Sequence, residues 1–397
     1  MLKTLLTGTL CLSILGSIAL GQDYQARKRI SGWPEIFTPG VVLDLNLSMS
    51  QANWNTVQGD TSFSVEVPAM FWLGSDVPIL VSVRRKSCDA LNAASGFSKV
   101  SLKIDINEYV AGQEWYDLKK LSLENGDDED VVTEGMAWEL HRMATGPIGY
   151  DYVTGLANWA TIRINGVNTG VYVNVEQRDK TFLKNRNTWV PDQTWLYHLD
   201  DVYSDSLNAG LGDSPEYQTL CYDPFQNPNM ACQSPPLAGF QADLDALVDM
   251  KGMLTLGAVN AFMGHRDSLF SKGKNTMFAD FSTGRKREYY PWDLDSVLTQ
   301  QNHNIFNPGK HYADLIYAVP VYRAQFKQIL GDLLAGPMHP TEMHSFLDSM
   351  ETLLAPRLLQ DANNKIGTAQ DIAQHFQQKK DWVTDRAVIV LDQIAND

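Results

Sequence analysis

The chain has 397 residues, 44% of them hydrophobic and 20% charged, which is typical of a globular protein rather than a disordered or fibrous one. This length suits one two-lobed unit with a continuous core. The formal net charge of −15 argues against nucleic acid or an anionic membrane as the main partner, because binding phosphates requires a basic surface.

The first residues predict a secretory signal peptide. Lys3 provides a positive charge, residues 5–20 form an apolar segment, and Ala19-Leu20-Gly21 is a small-residue cleavage site. We therefore expect residues 1–21 to be removed and the protein to be secreted, acting either in the secretory lumen or after release. No other run is long enough to span a bilayer, so no stable membrane anchor is expected.

Three strands are predicted next, because apolar and polar side chains alternate in residues 41–47, 79–85 and 99–106. The segment between Lys86 and Ser98 is rich in small residues, and we expect a bound nucleotide to order it.

Beyond these strands, residues 133–147 predict a helix that begins at Thr133 and ends at Gly146-Pro147. Residues 160–176 predict a β-hairpin around a Gly/Asn turn.

The second half of the chain is helical in character. Residues 187–240 are rich in loops, residues 240–264 have helical periodicity, and further helices follow from Pro320. The sequence therefore predicts an α+β fold with a β-rich lobe at 22–177 and a helix-rich lobe at 178–397.

Three cysteines lie outside the predicted leader. Cys221 and Cys232 flank a loop rich in Pro and Asn and could close it as a disulfide, with Cys88 unpaired or joined to one of them instead. The cysteines and histidines show no zinc-binding spacing, so no structural metal site is expected.

Oxygen donors are concentrated in residues 264–296, which contain Asp267, Asn275, Asp293 and Asp295 among several lysines. On an extended segment, Asp293 and Asp295 would point to the same side. Oxygen ligands suit Mg²⁺ or Ca²⁺. Each short motif alone is explained by a turn or by solvated acids, but their order along the chain is one way to build a phosphoryl-transfer site.

Charged residues of the first lobe suggest a second part of that site. Lys99 and Lys103 are four apart on one predicted strand and would face the same side. Glu139 lies on the apolar face of its helix and needs a partner, for which a strand lysine is the natural choice. Such a pair holds nucleotide phosphates in protein kinases, or it is a structural ion pair. Glu134 lies on the opposite face, where the helix dipole accounts for it.

Taken together, these segments resemble the CotH kinase family, the spore coat protein H kinases, over about residues 41–365. The resemblance rests on segments in the family's order, including KVSLKIDINEY, LSLENGDDEDVVTEGMAWEL, INGVNTGVYVNVEQRDKTFL, GHRDSLFSKGKN and YYPWDLD. It implies an atypical protein-kinase-like fold and ATP-dependent phosphorylation of proteins. Together with the predicted signal peptide, it predicts that the protein uses ATP with Mg²⁺ or Mn²⁺ to phosphorylate serine or threonine of a secretory-pathway protein.

The resemblance also implies roles for individual residues. It makes Asp267 the catalytic aspartate and Asp293 the metal-binding aspartate, with Asn275 and Asp295 close by. The predicted nucleotide-binding residues are Lys99 or Lys103 at the phosphates, Glu139 as a lysine partner, and Glu176 at the lobe junction near adenine.

Two other functions are compatible with the residues. The fold could serve an extracellular adhesin or interaction protein with weak or no catalysis. A glycosidase using Asp293 and Asp295 is disfavoured, because its two carboxyl groups must stand at least ~5 Å apart across a sugar in opposed roles.

Overall fold

The computed structural model describes residues 33–86, 99–126, 130–145, 152–199, 204–206, 214, 237–282, 284–306 and 311–397. The predicted signal peptide, the three cysteines and residues 87–98 of the predicted nucleotide-ordered segment lie outside these ranges. Within them, no helix has the length and apolar character needed to cross a membrane.

A closed barrel dominates the first half of the described chain. Its strands follow the order β1-β2-β3-β4-β5-β7-β6, and neighbouring strands are antiparallel except for the parallel pair β1 and β6. The strands are β1 Val42–Ser48, β2 Val67–Leu73, β3 Ile79–Arg85, β4 Leu102–Asp105, β5 Lys120–Glu124, β6 Ala157–Ile164 and β7 Val167–Glu176.

Alternate side chains of these strands fill the barrel. Because successive residues of a strand point to opposite faces, one set of apolar residues faces inward and the other faces outward. Representative inward residues are Leu45, Phe71, Val83, Ile104, Leu123, Ile162 and Tyr172. The β6–β7 hairpin turns at Asn165 and Gly166, whose φ values of 52° and 82° suit a tight two-residue turn.

Helices and a second sheet make up the rest of the described chain. The sheet has the order β11-β10-β8-β9, with β8 Thr194–Leu199, β9 Ser204–Ser206, β10 Thr276–Phe281 and β11 Glu288–Pro291. The helices are α1 Gln51–Gly59, α2 Val131–Ala144, α3 Lys180–Asn185, α4 Leu237–Leu247, α5 Met250–Met263, α6 His311–Ala318, α7 Pro320–Ala335, α8 Pro340–Leu358 and α9 Ala369–Ala395. The largest apolar core joins α2, α5 and the later helices to the outer faces of β6 and β7.

The sequence-based elements agree with this structure in most places. The α+β class, the strands at 41–47 and 79–85, and the hairpin are confirmed. The closed barrel was not predicted, and a kinase-like two-lobed arrangement stays a prediction.

Three predicted boundaries were wrong. The third strand begins at Leu102 instead of Lys99. Helix α2 begins at Val131, because the Asp130 carboxylate accepts hydrogen bonds from the backbone N–H groups of Val132 and Thr133. The predicted helix at 240–264 is two helices, with Asp249 capping the second.

Candidate functional site

Asp267 lies on a loop, residues 265–275, that follows α5; we call it the Asp267 loop. Gly264 ends α5 in a left-handed conformation with φ 62°. Lys272 Nζ is 2.6 Å from Asp267 Oδ1, and Lys274 Nζ is 3.2 Å from Oδ2. Burial opposes ionisation of Asp267, but these lysines outweigh it and hold the pKa below the ordinary value of 3.8. Asp267 is therefore a carboxylate at neutral pH and can accept a hydrogen bond from a hydroxyl group.

The segment with Asp293, residues 292–296, lies directly against the Asp267 loop; we call it the Asp293 segment. Asn275 Nδ2 donates to Asp293 O at 3.0 Å, Trp292 N donates to Asn275 O at 3.2 Å, and Arg266 N donates to Ser296 O at 3.2 Å. The structure thus brings together the aspartates and the asparagine that the sequence grouped only along the chain.

The backbone is constrained where these two segments meet. Asn275 has φ 50° and Asp293 has φ 53°, in the left-handed region that residues other than glycine rarely adopt. Asn and Asp tolerate this conformation better than other side chains. Residues other than glycine that are held in the left-handed conformation are concentrated at functional sites.

Asp293 and Asp295 do not lie on an extended segment, so the prediction that both side chains point to the same side is wrong. Strand β11 ends at Pro291, Asp293 is left-handed, and Leu294 and Asp295 form a turn. The rule that residues two apart share a side holds only on a strand, so it does not apply to Asp293 and Asp295. A metal-binding role for Asp295 stays a prediction.

The outer surface of the barrel carries a group of basic side chains on β3, β4 and β5, which we call the cationic face. Lys103 alternates with the inward residues Leu102 and Ile104, so it faces outward, paired in register with Arg84 and Ser122. Burial first, and then the charges of Lys120, Arg84 and Lys86, lower the pKa of Lys103 to about 8. The members of the cationic face are Arg84, Lys86, Lys103 and Lys120. Arg84, Lys86 and Lys120 are paired with Glu66, Glu124 and Asp105, whereas Lys103 has no ion pair among the described residues. An anion would therefore be stabilised mainly at Lys103.

Lys86 joins the cationic face to the Asp293 segment. Its ammonium group pairs with the carboxylate of Glu124 and lies 4.7 Å from the centroid of the Trp292 ring. Glu134, in the first turn of α2, is buried; burial and then the negative charges of Glu124 and Asp293 raise its pKa well above the ordinary 4.5. The barrel surface, α2 and Asp293 therefore meet at one place.

The sequence alone did not identify three of the charged residues that meet beside Asp293. Lys86 and Glu124 were not selected, and Glu134 was placed on the helix face opposite the apolar one and explained by the helix dipole alone. A usable signal existed for Lys86, which continues the alternation of β3 one residue after Arg85. For Glu134 there was none, because α2 is buried on all sides from Val131 to His141, and helical periodicity reveals only a one-sided apolar face.

Glu139 was expected to pair with a strand lysine, and that expectation is wrong. Its carboxylate is 2.6 Å from Arg142 Nε, one turn later on the same helix. Burial raises the pKa of Glu139, and Arg142 opposes this effect. The pair is a local one within α2.

Lys99 does not share a face with Lys103, contrary to expectation. Lys99 precedes the strand, its side chain is 2% exposed, and its Nζ is 3.1 Å from Asp361 Oδ2. The same ammonium group donates to the carbonyl oxygen of Val171. Burial lowers the pKa of Lys99, while Asp361 acts in the opposite direction. Lys99 is thus committed to a buried ion pair, and Lys103 and Lys86 are the lysines of the cationic face.

Glu176 lies at the end of β7, where the chain leaves the barrel. Its carboxylate accepts hydrogen bonds from Arg186 Nη1 and Nη2, both at 2.8 Å, from Trp33 Nε1 at 2.7 Å and from Leu156 N at 3.0 Å. These contacts give Glu176 a structural role at the barrel exit. Proximity to adenine stays a prediction.

The family model described as CotH kinase protein matches residues 92–390, which is most of the chain. The chain belongs to the CotH kinase family. A search of curated proteins found no match. Membership of the CotH family indicates a kinase-like function, and the matched range contains Lys103, Asp267, Asn275 and Asp293.

The donor set of this CotH chain fits magnesium that arrives with a nucleotide. In the described ranges, no three or more His, Cys, Asp or Glu side chains are grouped closely enough to hold a metal ion. Mg²⁺ usually takes only one or two protein carboxylates and completes its shell with water and phosphate oxygens. The Asp293 carboxylate and the Asn275 amide oxygen suit that requirement, whereas a preformed protein cage is not present among the described residues.

Proposed function

We propose that this chain is a secretory-pathway protein kinase that transfers the γ-phosphoryl group of ATP to a serine or threonine hydroxyl. The observation that carries the proposal is the contact of the Asp267 loop with the Asp293 segment beside the cationic face. A hydroxyl-orienting carboxylate, metal-binding oxygens and phosphate-binding lysines are the parts that phosphoryl transfer requires.

Each part has a distinct task in the proposed reaction. Asp267 accepts a hydrogen bond from the substrate hydroxyl and takes its proton as the oxygen bonds to the γ-phosphorus. The bond from that phosphorus to the β–γ bridging oxygen breaks, and ADP leaves. Lys272 and Lys274 hold Asp267 ionised and add positive charge beside the transferred group.

The nucleotide phosphates would lie against Lys103 and Lys86. Asp293 and Asn275 would hold Mg²⁺ or Mn²⁺, which neutralises phosphate charge when bound. We further propose that residues 22–177 and 178–397 act as the two lobes of a kinase-like domain. The predicted signal peptide supports action in the secretory pathway or outside the cell, on a protein substrate.

The test is transfer of labelled phosphate from ATP to protein in the presence of Mg²⁺ or Mn²⁺. Asp267→Asn should lower the rate by about 10²-fold or more, because the proton acceptor is lost. Asp348→Asn is the matched control, since Asp348 is an exposed acid on α8 paired with Lys380.

Equal incorporation by wild type and Asp267→Asn would contradict the proposal. Calorimetry with Mg²⁺–ATP distinguishes the kinase from the alternative, an interaction protein without catalysis. Nucleotide binding that is lost in Asp293→Ala supports the kinase, whereas a wild-type protein that neither binds nor transfers would be an interaction protein built on this fold.

A further inference from the structure

Arg178 is a buried cation whose charge no part of the proposed reaction uses. It is 0% exposed, and Nη1 donates to the carbonyl oxygen of Glu176 at 2.5 Å. Nε and Nη2 have no hydrogen-bond partner among the described residues. The nearby Glu176 carboxylate binds Arg186 instead. Burying a guanidinium group with two unsatisfied nitrogens is costly, so its presence at this position calls for a physical reason.

Two tryptophans enclose the guanidinium group. Its central carbon lies 4.3 Å from the ring centroid of Trp138 and 5.3 Å from that of Trp292. Both distances are within the range of cation–π attraction, which is strongest for tryptophan and grows when the cation is desolvated. Gly155 provides the room, because a Cβ atom there would lie 1.8 Å from Arg178 Nη2.

The two tryptophans belong to the two sides of the candidate site. Trp138 is one helical turn after Glu134 on α2, so both side chains lie on one face of that helix. Trp292 directly precedes Asp293, and its ring also contacts Lys86 at 4.7 Å. The Trp138–Arg178–Trp292 stack is therefore a packed connection between α2 and the Asp293 segment.

We propose that Arg178 is a positioning residue that sets Asp293 relative to Glu134 and Lys86, through the Trp138–Arg178–Trp292 stack. The proposal rests on the proposed function, since it names what holds the metal-binding aspartate in place. The left-handed backbone at Asp293 is maintained only if the surrounding structure holds it in place. The stack provides such a contact at Trp292, the residue directly before Asp293.

A second buried arginine, Arg386, shows what a purely structural role looks like in this chain. Arg386 is also 0% exposed and has no carboxylate partner among the described residues. Its guanidinium nitrogens donate to four backbone carbonyls, those of Ala261, Phe262, Gln301 and His303. Arg386 thus stabilises the end of α5 through backbone carbonyls, and its hydrogen bonds in the described part of the chain do not include Trp292 or Asp293. It is the matched control for a buried arginine that supports only the fold.

The experiment measures phosphate transfer and Mg²⁺–ATP binding as a function of Mg²⁺ concentration, together with the melting temperature, for the full chain. Arg178→Met replaces the guanidinium side chain with an apolar one of similar length and so removes the charge. Arg178→Lys keeps a charge without the planar group, and Gly155→Ala displaces the guanidinium group while leaving Arg178 in the sequence.

We expect Arg178→Met to raise the half-saturating Mg²⁺ concentration by about tenfold and to lower kcat, with KM for the acceptor protein unchanged, because a small displacement of a reacting group has a large effect on rate. Arg178→Lys should recover part of the loss, and Gly155→Ala should reproduce it. Arg386→Met should lower only the melting temperature.

Two results would overturn the inference. One is an Arg178→Met protein with wild-type Mg²⁺ dependence, whatever its stability. The other, should that variant not fold, is wild-type Mg²⁺ dependence in both Arg178→Lys and Gly155→Ala. A wild-type chain that binds no Mg²⁺–ATP is a different result, because it contradicts the proposed function itself.

Discussion

The buried pair of Lys99 and Asp361 yields a prediction that separates stability from nucleotide binding. Asp361 Oδ2 accepts from Lys99 Nζ at 3.1 Å and from Val171 N at 2.9 Å, while Oδ1 accepts from Asn363 N at 2.8 Å. The side chains of Lys99 and Asp361 are 2% and 1% exposed. One carboxylate therefore ties the loop after α8 to β7 and to the residues before β4.

The expected magnitude follows from which groups lose a partner. In Asp361→Asn, Lys99 becomes an uncompensated buried cation, which costs about 3–5 kcal/mol. In Lys99→Met, Asp361 keeps both backbone donors, so the loss should be smaller, about 2–3 kcal/mol. The double variant, Lys99→Met with Asp361→Asn, should lose less stability than the two single variants added together. With both charges removed, no buried charge is left without its partner.

Thermal unfolding measures these differences. At about 2 °C per kcal/mol for a chain of this size, Asp361→Asn should lower the melting temperature by at least about 6 °C. Affinity for Mg²⁺–ATP, measured by calorimetry below the transition, should stay at the wild-type value in all three variants. If Lys99→Met instead keeps its melting temperature and loses nucleotide binding, Lys99 is a phosphate contact and our assignment of its partner is wrong.

Two pH-dependent predictions follow. Burial and neighbouring cations lower the pKa of Lys103 to about 8. Affinity for Mg²⁺–ATP should therefore fall by up to about fivefold from pH 8 to pH 9, as the protonated fraction of Lys103 drops from about one half to about one tenth; in calorimetry, Lys103→Arg should show no such fall. Burial lowers the pKa of His141 to about 3, so folded His141 stays neutral while the unfolded chain takes up a proton below about 6.5. Stability should therefore decrease as pH falls from 6.5 towards 3, by up to about 1.4 kcal/mol per unit, and His141→Gln should reduce the slope in urea unfolding; equal slopes would contradict this cause.

The sequence alone determined the features that depend on neighbouring residues. Alternation located β1 and β3, and an Asn-Gly turn located the β6–β7 hairpin. The order of Asp267, Asn275 and Asp293 along the chain predicted that they share a site, and the two segments that carry them are hydrogen-bonded to each other. These features were accessible because strand period, turn chemistry and short connections are local properties.

Only the tertiary structure decided which charged groups meet. Lys99 and Lys103 are four residues apart, yet one binds Asp361, 262 residues later, and the other lies on the cationic face. Helical position places Glu134 opposite the apolar face, where the helix dipole accounts for it, but α2 is covered on all sides by the barrel and the later helices. A helical or strand pattern shows that a face is buried; it does not show which distant element covers that face, and the covering element supplies the partner that a buried charge requires.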